Sequence, residues 1–151
     1  MRIETELKYD FDDVLIRPKR STLTSRKEVD LHRTFRFKYG GSYHGIPVMA
    51  ANMDGVGTLE VARTLSNLDL FTCYKKDIAE QDLINELKEN EGKHVAVTIG
   101  RNVIEKEKLY RIKKALIPYC KLKNICIDVA NGYSQSFVDF IKVVREEFPA
   151  S

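Results

Sequence analysis

Asp128 closes an apolar run, Ile125-Cys126-Ile127, and a small turn follows it in "DVANGYS" (128–134). An acid delivered by an apolar strand faces a partly desolvated pocket. There it can hold an amide or a hydroxyl, or pass a proton beside a nearby cation. Lys76, in "YKKDI" (74–78), offers such a cation, with one of the two adjacent lysines turned to a site and the other to solvent. The plainer readings stand beside these: a capping acid in an Asx-type turn, and a solvated lysine. "NMDGVGT" (52–58) would set Asn52, Met53 and Asp54 at a site rim, while Gly55 and Gly57 equally suit a mere tight turn. It is neither G-x-G-x-x-G nor a P-loop, since no lysine follows the glycines. "TIGRN" (98–102) offers Thr98, Gly100 and Arg101, and by itself reads as a simple turn.

These four loops share a position in the pattern. Apolar runs of strand length fall at 46–53, 70–76, 94–100 and 124–130. Segments with apolar residues at helical spacing follow at 57–68, 78–92, 103–120 and 134–148. Gly92 is a plausible stop for the second helix, and Pro118 for the third. Ser134 is a candidate N-cap for the fourth, whose apolar stripe is Phe137, Phe140, Ile141 and Val144. Continuous apolar strands alternating with helices predict an α/β fold with a parallel sheet covered by helices. In such folds the loops after the strands carry the ligand chemistry. Four βα units are also half of a (β/α)8 TIM barrel, and half a barrel leaves two sheet edges unpaired. Residues 1–45 lack a clear period and predict an irregular N-terminal arm, with "FDDVLIRP" a short extended piece and "GGSYHGIP" a loop closing the arm. The half barrel, β1α1 to β4α4, then takes 46–151.

Composition narrows the classes. The 151 residues are 43% hydrophobic and 31% charged, ordinary for a globular domain with a real core. No apolar run reaches the roughly 20 residues needed to span a bilayer, and the charged N-terminus does not suit a signal peptide, so a cytoplasmic protein is expected. Cys73, Cys120 and Cys126 are an odd number without metal spacing and read as small apolar residues in a reducing compartment. The net charge of +3 does not argue for nucleic acid. Basic residues do crowd between Arg17 and Lys38, as a solvated arm or as a segment that contacts phosphate.

"DFDDVLIRPKRSTLTSRKEVDL", "IPVMAANMDGVGT" and "ICIDVANGYSQSFVDFIKVVREEFP" together resemble the N-terminal half of the GMP reductases, close relatives of the IMP dehydrogenases. The resemblance covers nearly the whole chain. It favours the reductases because only a short helix separates "YKKDI" from "HVAVTIG", where the dehydrogenases usually insert a regulatory domain pair. The resemblance implies a (β/α)8 barrel, usually a homotetramer, that reduces and deaminates GMP to IMP and ammonia with NADPH. It implies that Lys76 and Asp128 serve the deamination step. Lys76, Asp128, Val129 and Ala130 would line the cofactor site, and Ser25 and Arg26 would reach the cofactor of a neighbouring subunit.

The family's nucleophilic cysteine belongs to a glycine-rich loop after the sixth strand, and none of the three cysteines stands in that context. Smaller departures are Gly55 for the usual threonine of "MDTVGT", "YKKDI" for a histidine-flanked lysine, and "TIGRN" for a Ser/Thr-rich turn. The expectation is therefore a truncated or split reductase with no turnover of its own. The alternatives are a catalytically dead half barrel that binds a complementary half or a full-length subunit, and an IMP dehydrogenase-like enzyme.

Overall fold

The computed structural model describes residues 3–38 and 41–149. The domain bounds at 1 and 151, and Gly40 of the expected closing loop, lie outside the described residues. The chain divides into two compact units, Met1–Asp30 and Leu31–Ser151.

In the first unit, the stretch read as extended begins instead as a 3-10 turn, Phe11–Asp13. Asp10 causes this: its carboxylate accepts the Phe11 N–H at 2.7 Å, while Asp13 accepts the Asp10 N–H at 2.9 Å. That reciprocal capping box satisfies amides an extended chain would leave to water. Extended backbone resumes at Val14. A second 3-10 turn, Arg26–Glu28, is capped by the Ser25 hydroxyl, which accepts the Lys27 N–H.

The second unit opens with an antiparallel hairpin, β1 (Arg33–Arg36) and β2 (Ser42–Gly45), in register from Arg33 opposite Gly45 to Arg36 opposite Ser42. This departs from the irregular arm expected up to residue 45. The signal was the alternation of Phe35, Phe37 and Tyr43 around a glycine-bearing turn, masked by the surrounding charges.

Four parallel strands follow in sequence order: β3 (Met49–Ala50), β4 (Phe71–Cys73), β5 (Val95–Ile99) and β6 (Ile125–Ile127). They alternate with α1 (Leu59–Ser66), α2 (Glu80–Glu89), α3 (Val103–Leu116) and α4 (Gln135–Glu147). The βα order expected from the sequence is thus present, as an α/β fold with a parallel sheet. The first strand is much shorter than 46–53. Pro47 has no N–H to give a ladder, and the Val48 N–H turns back to the Ile46 carbonyl at 2.8 Å. The second helix stops before Gly92: Asn90 is its C-cap, and the Asn90 side chain accepts the Gly92 N–H at 2.8 Å. The third ends with Ile117 as its C-cap, just before Pro118.

The core lies between the sheet and its helices. Tyr74, Val95, Val97 and Ile99 pack with Ala62, Leu83, Leu87, Leu109, Ile112 and Leu116. The other face of the sheet carries a smaller cluster, Phe71, Cys73 and Ala96, with Tyr43 of the hairpin and Cys126 against it. Alternation along β5 sorts the two sets, Val95, Val97 and Ile99 to one side and Ala96 to the other.

Candidate functional site

The loops that follow β3, β4, β5 and β6 gather at the C-terminal ends of the parallel strands, where the fold exposes backbone and side chains to a ligand. The site begins with a close backbone approach. The Gly57 N–H bonds the Met53 carbonyl at 2.8 Å, and the Gly57 carbonyl accepts the Lys75 N–H at 2.8 Å. A Cβ at Gly57 would stand 2.5 Å from the Cys73 carbonyl and 2.9 Å from the Lys75 nitrogen, so only glycine lets the first loop lie on the end of β4. Gly55 serves the same turn differently, with φ +73° in the left-handed region.

That contact fixes the two lysines in different roles. Lys75 turns to the first loop, with its ammonium 3.3 Å from Asp54 and 3.0 Å from Asp77. Its pKa rises, first through the hydrogen bond to Asp77 and then through that to Asp54. Lys76 turns to the fourth loop, and its ammonium stands 3.2 Å from an Asp128 carboxylate oxygen. Both side chains of this pair are 42% exposed, half out of water and open to a ligand. The Lys108 ammonium donates to the carbonyls of Lys76 and Ile78, at 3.1 and 2.7 Å, and so ties the second loop to α3.

Asp128 is held by its backbone: its N–H extends the ladder to the Ile99 carbonyl at 2.8 Å. The Asx turn in this loop falls to another residue. Asn131 accepts the Tyr133 N–H at 2.9 Å, and Ser134, the N-cap of α4, accepts the Phe137 N–H at 3.3 Å. Turn and cap are thus made by Asn131 and Ser134, while the Asp128 carboxylate faces Lys76. Val129 beside it is half-buried and Ala130 is exposed.

In the third loop Asn102 caps α3 by accepting the Glu105 N–H at 2.8 Å, as a simple turn requires. Arg101 does more: its guanidinium donates to the Ser136 hydroxyl in the first turn of α4. That link between the third and fourth loops joins residues 35 apart, and no local pattern signals it. Thr98 is buried on β5, opposite Cys126. Asn52 is half-buried, and Met53 and Asp54 are exposed. Ser25 and Arg26 belong to the first unit, where Arg26 is exposed. The structure therefore brings together Lys76 and Asp128, with Lys75, Asp54 and Asp77 as a second charged group. Among the described residues no helix is long and apolar enough to cross a membrane.

Comparison with known proteins gives this arrangement a lineage. Residues 8–151 match the model of the IMP dehydrogenase / GMP reductase domain. The chain is 47% identical, over 99% of its length, to a GMP reductase of Tolumonas auensis, and covers 43% of that protein. It is 48% identical to GMP reductase 1 of Mus musculus, over 98% of its length and again 43% of the relative. The chain thus spans less than half the length of these curated relatives. The fold matches a crystal structure of inosine 5'-monophosphate dehydrogenase from Legionella pneumophila with a TM-score of 0.69 and 22% identity, over 91% of this chain and 40% of that one. By its sequence over nearly its whole length, this chain belongs to the IMP dehydrogenase / GMP reductase family, as a homologue of the GMP reductases.

Proposed function

We propose that this chain carries the proton-handling part of an NADPH-dependent GMP reductase, a cytoplasmic enzyme of purine nucleotide interconversion. The supporting observation is the Lys76–Asp128 pair, 3.2 Å apart on the loops after β4 and β6. The reaction replaces the 2-amino group of GMP by hydrogen. Hydride comes from the cofactor, and one proton is needed to carry the nitrogen away as ammonia. Lys76 is the donor of that proton, and the Asp128 carboxylate orients the lysine and accepts from the purine amino group. The Lys108 bond to the Lys76 carbonyl and the Asp128 N–H bond to the Ile99 carbonyl hold these loop residues against the sheet and keep their geometry through turnover.

In this reading the chain contributes residues to both ends of an NADPH site. Val129, half-buried, and the small, exposed Ala130 follow Asp128 and would line the cofactor's ring in this reading. Arg26, exposed beside the capping Ser25, suits a phosphate of a cofactor held by a neighbouring subunit. The cofactor, when bound, supplies the hydride. The domain plan that goes with this reading is an N-terminal arm over 1–45 and βα units over 46–151, with the hairpin as the part of the arm that packs under the sheet.

The test is NADPH absorbance on addition of GMP. The chain spans 43% of its relatives, and alone is expected to show no turnover. Supplied with the complementary part of a relative it should turn over, and Lys76→Met or Asp128→Asn should then lower the rate by about 10²-fold or more. Robust turnover by the chain alone, or a reconstituted rate indifferent to both substitutions, overturns the reading.

A second reading is a half barrel whose role is to bind a complementary half. It is favoured by the open sheet face, where Val48 and Met49 are exposed, and by Val138 and Ile141 on α4, which are exposed as well. Co-purification with the complementary part without recovery of activity would favour it over the first.

A further inference from the structure

The outer surface of α3 carries a pattern that reductive deamination does not use. This helix has a helix of the same chain on each side: Arg111 reaches Glu80 of α2 at 2.9 Å, and Lys106 reaches Glu147 of α4 at 2.8 Å. Leu109, Ile112 and Leu116 seal its inner face in the core. The face left over points away from the sheet, outside any barrel that the strands would close. Val103, Glu107, Tyr110, Lys114 and Ile117 run along it, all exposed, in alternating steps of four and three residues. That spacing keeps side chains on one side of a helix.

Exposed apolar side chains are ordinary singly, but the order of this stripe is not. From either end it reads apolar, charged, Tyr110, oppositely charged, apolar. Val103 and Ile117, 71% and 73% exposed, stand seven residues either side of Tyr110. Glu107 lies three residues before it and Lys114 four after. Neither charge is used within the chain. The helical neighbours of Lys114 are Tyr110, Arg111, Ile117 and Pro118, none of them acidic, and among the described residues Lys114 makes no ion pair. Glu107 has Arg111 one turn on, but Glu80 already holds that guanidinium. The other basic side chains of α3 are engaged: Lys106 with Glu147, Lys108 with the second loop, and Lys113 with the Glu147 carbonyl at 2.7 Å.

We propose that this face of α3 binds a second copy of the chain, helix against antiparallel helix, across a two-fold axis at Tyr110. An isologous contact must be complementary to itself, so that each residue meets the same partner on both copies. The stripe meets that condition. Val103 falls against Ile117 of the second copy, Glu107 against Lys114, and Tyr110 against Tyr110. A notch of 300 Å³ lined by Tyr110, Lys114 and Ile117 can receive the opposing Val103. The Tyr110 ring is fixed for the contact, with its centroid 5.3 Å from that of Phe148. One pair of short helices buries less than the roughly 1,200 Å² of a standard interface, so the association is weak and depends on concentration.

The test is sedimentation velocity of the whole chain at low salt, from about 10 µM to about 1 mM. The wild type should pass from monomer to dimer across that range. Glu107→Lys and Lys114→Glu each set like charges together twice per dimer and should weaken dimerisation by about tenfold or more. The doubly changed chain, Glu107→Lys with Lys114→Glu, restores both pairs and should dimerise within about threefold of the wild type. A mixture of the two single variants should pair as well, since each supplies the charge that the other lacks. Both side chains are exposed and unpaired, so the variants keep the fold; far-UV circular dichroism checks it. A wild type that stays monomeric, single reversals that leave association unchanged, as contact through the open sheet face would, or a double reversal no better than the single ones overturns the proposal.

Discussion

The two faces of the parallel sheet are built by the same strands, yet they are closed to very different degrees. On the helix side, Val95, Val97 and Ile99 of β5 and Leu109 and Ile112 of α3 are sealed from water. On the other side Phe71, Cys73 and Ala96 are buried by the hairpin and by one another, but Met49 is 62% exposed. The difference follows from where each face finds its partners. A helix that directly follows its strand folds back on it, so each βα unit brings the cover for its own outer face. The inner face of a (β/α)8 barrel is filled by side chains from strands around the whole ring. A chain that covers about two fifths of a barrel-bearing relative supplies only part of that ring.

The sharpest way to break this contrast is a matched pair of truncations. Leu109→Ala removes a fully buried side chain at the centre of the helix-side core and should cost about 2–5 kcal/mol. Met49→Ala, on the open face, should cost no more than about 0.5 kcal/mol. Urea midpoints of the two variants decide it. A comparable loss at both positions would mean that the open face is covered in solution, as self-association would cover it.

The site sits on the rim where the two faces meet, and Gly57 is its hinge to the sheet. Gly57→Ala forces a methyl to within 2.5 Å of the Cys73 carbonyl and should cost about 1–3 kcal/mol. Because Gly57 holds the Lys75 N–H, the same change should speed hydrogen exchange at Lys75 while leaving the Leu83–Leu87 turns of α2 protected. Uniform loss of protection would show instead that the rim and the helix-side core open as one unit.

Ion pairs sharpen the contrast within the helix side itself. Glu86 is buried at 2% side-chain exposure and accepts from Arg63 at 2.9 and 2.6 Å. Glu80 pairs with Arg111 at 2.9 Å nearer the surface. Arg63→Ala leaves a buried carboxylate short of its donor and should lower the urea midpoint clearly. Arg111→Ala, which breaks an exposed pair, should lower it less. Equal urea midpoints for the two variants would mean that water reaches Glu86.

The unequal closure also explains what could be read from the sequence. The βα order was legible because each outer face is a local pattern: apolar run, turn, amphipathic helix, with Ser134 as a cap in the expected place. The strand at 46–53 was overread, because an apolar run does not reveal that Pro47 and an edge position leave it two ladder residues. The hairpin was missed because its pairing hides among arginines. At the site, Asp128 and Lys76 could each be singled out alone. Which of two adjacent lysines would face Asp128 depends on Gly57 touching the end of β4, and the Arg101–Ser136 link joins separate βα units. Contacts between distant units leave no mark in a local window.

Lys108 offers the smallest effect and a test by pH. Its ammonium is tied to the carbonyls behind Lys76, and partial burial lowers its pKa, opposed by the nearby carboxylates of Glu80 and Glu105. The sign follows from proton counts. Between the lowered folded value and the unfolded value of about 10.4, the unfolded chain binds the extra proton. Folding stability contributed by this group therefore rises with pH across that window, and its burial penalty is constant below it. The urea midpoint of the wild type should accordingly gain on that of Lys108→Met as pH climbs towards 10. A difference independent of pH would place Lys108 in water, and would remove α3 as the support that holds the Lys76 loop against the rim.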